Sequence, residues 1–149
     1  MRTEYSVNAM KDAGVEMEKL GYARANWNRA QAQTQVSSLL DTYGDRIELI
    51  LSNNDDMALG AVDALKAAGT DKENWPLIVG IDGTGDGLAA VKKKELTGTV
   101  YNDKEGQAQG MADVCYALAA GEDMSSIGFT NGRYIRLPYR PITAENVSG

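Results

Sequence analysis

Three short apolar runs constrain this chain more than any other feature. They are Ile47-Glu48-Leu49-Ile50-Leu51, Pro76-Leu77-Ile78-Val79-Gly80-Ile81 and Leu96-Thr97-Gly98-Thr99-Val100-Tyr101. Each is followed within a few residues by a segment with helical spacing: 55–68, 86–94 and 104–120. A strand, a short polar connection and a helix, repeated, is the pattern of βα units, and parallel neighbours need such crossovers to be joined. The second run is almost continuously apolar, which suits a strand covered on both faces. The stretch 15–22 alternates in the manner of a further strand.

Helix boundaries are marked by glycines and by short polar residues. Residues 3–11 read as a helix stopped by Gly14, with Tyr5, Val7 or Ala9, and Met10 on one side. Residues 28–43 read as a second, with Ala32, Val36, Leu39 and Leu40 at helical spacing and Gly44 after it; Gly69 closes the segment 55–68. On 104–120 the apolar side is Met111, Val114, Cys115 and Leu118. Near the end, Thr130-Asn131-Gly132-Arg133 contains Asn-Gly, a strong hairpin signal, with 134–137 as the returning strand. Pro138 and Pro141 are expected to stop regular pairing beyond it. The fold class is therefore α/β: a doubly wound, mostly parallel sheet with a C-terminal β-hairpin.

Composition excludes several functions. The chain has 149 residues, a net charge of −6 and 43% hydrophobic residues, enough for one ordinary core. The negative charge argues against a nucleic-acid partner. Lys92-Lys93-Lys94 reads as the solvated end of a helix, where cations suit the dipole. With no histidine and one cysteine, the His-based nucleophilic and metal arrangements are absent. Cys115 reads as a small core residue. No apolar run reaches the length of a membrane span, and the N-terminus shows no secretory signal. Gly83-Thr84-Gly85-Asp86-Gly87 is G-x-G-x-G and lacks the spacing and the lysine of a phosphate loop.

Ligands of open α/β sheets bind beyond the carboxyl ends of the strands. Asn26 and Trp27 follow the first strand-like run, Asn53, Asn54 and Asp55 the second, Asp82 and Gly83 the third, Asn102 and Asp103 the fourth. Any one of these would read as a helix cap. Together, with an indole, they suit a sugar: amides both donate and accept, carboxylates accept twice, and an aromatic face covers the C–H face of a pyranose. Within the cluster 53–56, Asn53 and Asp55 read as strand-end and cap residues and Asp56 as a favourable charge in the first helical turn. Asn54 reads as the residue that faces the ligand.

These residues resemble a known family. Asn53-Asn54-Asp55-Asp56-Met57-Ala58-Leu59-Gly60-Ala61-Val62-Asp63-Ala64-Leu65-Lys66 resembles the NND-x-MA-x-GA-x-EALK segment of the periplasmic glucose/galactose-binding proteins, the type I sugar receptors of ABC importers and of chemotaxis. Val79-Gly80-Ile81-Asp82, Leu96-Thr97-Gly98-Thr99-Val100-Tyr101-Asn102-Asp103 and Arg136-Leu137-Pro138-Tyr139 resemble its G-[VI]-D, L-x-GTV-x-ND and RVPY segments, in the same order. The resemblance implies that Arg2, Trp27, Asn54, Asp82 and Asn102 contact the sugar, with Trp27 stacking and Arg2 also holding a neighbouring carboxylate. Glu48 matches a glutamate that completes the family's calcium site. It is the only member of that site in this chain, and one carboxylate does not bind calcium.

The resemblance covers the second half of the family only. It implies that 1–101 is the second lobe lacking its first strand, which in the family lies between the strands matching 15–22 and 47–51. It also implies that 102–138 belongs with the first lobe and that 139–149 returns to the second. The expected function is non-enzymatic binding of glucose or galactose, here with half a site and no cofactor. The expected partners are an ABC permease and a chemoreceptor, and the expected location periplasmic or lipoprotein-anchored. Open sheet edges lead us to expect a homodimer or a domain-swapped oligomer. Two alternatives stay open: the sensor domain of a sugar-responsive LacI-type regulator, and a fragment of an α/β nucleotide-binding enzyme.

Overall fold

The computed structural model describes residues 2–147. The chain divides into two compact units, 1–101 with 141–149, and 102–140.

The first unit is built on a parallel sheet. Strands β1 (Leu49–Leu51), β2 (Leu77–Asp82) and β3 (Gly98–Tyr101) lie in that order, and β4 (Arg140–Thr143) follows β3. Leu49 is level with Leu77, Ile50 with Ile78, Val79 with Gly98 and Asp82 with Tyr101. The helices of this unit are α1 (Arg2–Asp12), α2 (Arg29–Tyr43), α3 (Asp55–Ala67) and α4 (Gly85–Lys92). The parallel α/β architecture is the one the βα alternation predicts.

Helix α3 organises the core. Asn54 caps it through a side-chain oxygen, Asp55 and Asp56 sit in the first turn and Lys66 in the last, all favourable to the helix dipole. Its Ala58, Leu59, Ala61, Val62 and Leu65 are buried with Ile78 of β2, Ala90 and Val91 of α4, Leu96, and Val36 of α2. Leu65, Ile78, Leu96, Val62 and Val91 are fully buried, each contributing about 1.5–3 kcal/mol relative to exposure. The Arg29 guanidinium donates two hydrogen bonds, of 2.6 and 2.9 Å, to the Asp63 carboxylate and so ties the start of α2 to α3.

Four expectations need correction. Residues 15–22 form no strand; Gly21 instead lies against Leu39 of α2, and Ala25 is buried. Alternation makes a strand only where a neighbour satisfies its backbone, and none of the described strands pairs with it. The C-terminal hairpin is reduced to one antiparallel bridge between Thr130 and Tyr134, and 135–139 carry no strand. Pro141 does not stop pairing: it lies in β4, a terminal strand of the described sheet, where a missing N–H is tolerated. Finally, the apolar side expected of α1 is not buried, and Tyr5 is exposed.

The second unit holds α5 (Lys104–Ala120), capped by the Asp103 side chain and ended by Gly121 in the left-handed region. Leu137 and Ile135 lie over Gly106 and Gly110 of this helix. The expected core face is a further correction. Cys115 is exposed, as are Met111 and Leu118, and Ala117 is the buried residue of the helix. Helical spacing shows that apolar residues share a side; it does not supply the element that covers them.

Candidate functional site

The parallel strands β1 and β2 both deliver their chains to loops at one end of the sheet, and most of the candidate residues gather there. Arg2, at the start of α1, is the link. One of its guanidinium nitrogens donates to the backbone carbonyl of Asn53 at 2.6 Å, and another to Asp82 Oδ1 at 3.3 Å. The same guanidinium lies 5.9 Å from the centroid of the Trp27 ring, within the range of a cation–π contact. Thr3 and the Asn53 side chain bond each other, which fixes α1 to the loop after β1.

The backbone around these residues is unusual. Five described non-glycine residues have positive φ, and three of them are Asn26 (48°), Trp27 (60°) and Asp82 (118°). Such conformations cost on the order of 1–3 kcal/mol each and concentrate where a side chain has to be aimed. The Trp27 ring is not aimed into the core: the residue is 59% exposed. It offers an apolar face to solvent beside a half-buried arginine and aspartate. A guanidinium, a carboxylate and an open indole face can together bind a polyhydroxylated ring.

Asn54 carries the capping role expected of Asp55. Its Oδ1 accepts from the Met57 N–H at 3.0 Å, so it is Asn54, and not Asn53 or Asp55, that caps α3. At 7% exposure it is buried, and the side-chain NH2 is the group it has to offer a ligand. Asp55 is no cap at all. It is wholly buried and accepts from the Thr99 hydroxyl, the Thr84 N–H and the Thr84 hydroxyl. Burial pushes its carboxyl pKa up, and the three hydrogen bonds oppose that shift. This group was not legible as a hub. The one available signal was the pair of glycines, Gly80 and Gly87, that leave room for it.

Asn102 belongs to the second unit, where its Oδ1 accepts from Gln107 Nε2 at 2.6 Å. Glu48 is exposed on the approach to β1. Among the described residues no three His, Cys, Asp or Glu side chains cluster in a way that could hold a metal ion. The residues present therefore do not fit a calcium site.

Comparison with known proteins agrees with the fold. Residues 1–123 match the periplasmic binding protein domain model. The chain is 33% identical over 150 aligned residues to the D-galactose/methyl-galactoside binding periplasmic protein of Haemophilus influenzae, covering 99% of this chain and 44% of that protein. It is 36% identical to a putative rhizopine-binding protein of Rhizobium meliloti, over 83% of this chain and 37% of that one. The structure superposes on an ABC transporter solute-binding protein from Bacillus halodurans with bound myo-inositol. The TM-score is 0.80 and the identity 32%, covering 99% of this chain and 47% of the other. The chain thus spans less than half the length of these relatives. Over the part it does span, fold and sequence agree, and the chain belongs to the periplasmic binding protein family.

Proposed function

We propose that this chain supplies the second-lobe part of a sugar site in the solute receptor of an ABC importer, a protein that binds its ligand and performs no chemistry on it. The observation that carries this reading is the Arg2–Asp82 pair beside the open face of Trp27. Trp27 would stack on the ring, Asp82 would accept from hydroxyls, and Arg2 and Asn54 would donate. The ligand we favour is a hexose, glucose or galactose. Relatives named for galactose, ribose and xylitol, and structures with bound myo-inositol and allose, support the wider class of sugars and polyols.

The same reading places the receptor in the periplasm or at a lipoprotein anchor, where it would dock to a permease and to a chemoreceptor. The isolated chain should pair with a second copy, because the outer edge of β1 carries no strand among the described residues. Sedimentation showing a strict monomer at every concentration would refute the pairing.

Binding by the chain alone should be weak. Each charged hydrogen bond missing from a site costs about 1.5–3 kcal/mol, and about 1.4 kcal/mol is tenfold in affinity. Amide chemical-shift titration with millimolar galactose, glucose and myo-inositol tests the site. Shifts are expected at Arg2, Trp27, Asn54 and Asp82. Shifts elsewhere, or none with any of the three, would sink the reading. Micromolar binding by calorimetry would overturn the half-site.

A further inference from the structure

A single buried carboxylate links the residues that follow β1 and β2 to the interior of β3. Asp55 follows β1 and opens α3. Its Oδ1 accepts from the Thr99 hydroxyl of β3 at 2.6 Å. Its Oδ2 accepts from the Thr84 N–H at 2.7 Å and the Thr84 hydroxyl at 3.2 Å, beyond the end of β2. The Thr99 hydroxyl oxygen accepts in turn from the Gly83 N–H at 3.3 Å. The two amides that follow Asp82 therefore end on Asp55 and on its partner Thr99.

The surroundings are shaped for this group. A Cβ at Gly80 would stand 2.3 Å from Asp55 Oδ1, and one at Gly87 2.3 Å from Oδ2. Among the described residues no cation pairs with Asp55; hydroxyl and amide donors hold it instead. A buried carboxylate without a cation is a poor way to gain stability, since an apolar side chain of similar volume avoids the desolvation cost. What it does gain is geometric: three donors converge on two oxygens. Two residues before Thr84 stands Asp82, held at a φ of 118° with its carboxylate on Arg2.

We propose that Asp55 is a positioning residue for ligand recognition, holding the 82–84 turn through Thr84 and Thr99 so that the Asp82 carboxylate meets Arg2 and the ligand. The ligand part rests on the sugar-site reading above. Thr99→Val removes the hydroxyl and keeps the shape, Thr99→Ser keeps the hydroxyl, and Asp55→Asn keeps the shape while offering one acceptor oxygen in place of two.

The test is amide hydrogen exchange on the whole chain, read beside the galactose shift titration. In Thr99→Val and Asp55→Asn, exchange at Gly83 and Thr84 should quicken roughly tenfold or more, as expected on loss of a hydrogen bond to a charged group. Exchange at Ile50 and Leu65 should stay as in the wild type, and galactose-induced shifts at Asp82 should shrink. Thr99→Ser should restore both. Unchanged exchange at Gly83 and Thr84 would overturn the proposal. So would quickening across all amides in proportion to lost stability, which is the signature of a merely structural role. If the wild type shows no shift with any sugar, the function reading fails and takes the ligand part with it, while the exchange data still decide the tether.

Discussion

Replacing Gly60 by alanine should destabilise the fold, although the same change in an open helix stabilises one. Gly60 lies in the interior of α3 where α2 crosses it. An added Cβ would stand 2.3 Å from the Arg29 carbonyl oxygen, 2.8 Å from the Ala32 Cβ and 3.0 Å from the Gln33 nitrogen. Comfortable contacts of this kind lie near about 3.5 Å, so α2 must retreat by roughly 1 Å. Two of the three obstructing atoms are backbone, so no rotamer change relieves the clash. Overpacking of this sort costs about 1–3 kcal/mol, and rigid neighbours place it at the upper end. The helix-propensity gain of alanine over glycine offsets about 1 kcal/mol. Retreat of α2 also stretches the bidentate Arg29–Asp63 pair, worth up to about 1 kcal/mol. The net loss is about 2 kcal/mol, which for a chain of this size lowers the melting temperature by roughly 4–8 °C. Thermal unfolding followed by circular dichroism measures it. Gly85→Ala is the control, because a Cβ there meets nothing within 4 Å. A Gly60→Ala protein that melts at or above the wild type would refute the reasoning.

Three further outcomes are expected. Asn54→Ala should lose about 1 kcal/mol with the α3 cap; Asn54→Asp should keep the cap but lose galactose-induced shifts, since a carboxylate cannot donate. The Arg29 hydrogen bond lowers the Asp63 pKa, so this pair's contribution is fully present above the unfolded carboxylate value of about 3.9. It is lost as pH falls through the lower folded value. The urea-stability gap between wild type and Asp63→Asn should be constant at neutral pH and close as the pH is lowered below the unfolded carboxylate value, and a gap that persists in acid would assign the stabilisation elsewhere. Arg2→Lys should leave far-UV circular dichroism unchanged yet weaken sugar-induced shifts of the Trp27 indole. An ammonium lacks the planar fork that reaches the Asn53 carbonyl and Asp82 while facing a ring. Undiminished shifts would remove Arg2 from the site.

The sequence by itself determined the parallel βα framework, because apolar period and helix punctuation are local properties of 47–51, 76–81 and 96–101 and of the polar residues after each. It also determined that hydrogen-bonding side chains collect at one end of that framework. Tertiary structure decided everything that depends on a neighbour. Residues 15–22 alternate as a strand does, yet form none, since pairing needs a second backbone alongside. Met111, Cys115 and Leu118 share a helix side, yet stay exposed, since burial needs a covering element. In the cluster 53–56 the residue types were readable but their roles were not. Which oxygen caps the helix, and which carboxylate receives Thr84 and Thr99, depends on where β2 and β3 end in space. Composition supplies donors and acceptors; only the packing of the strands selects which of them meet.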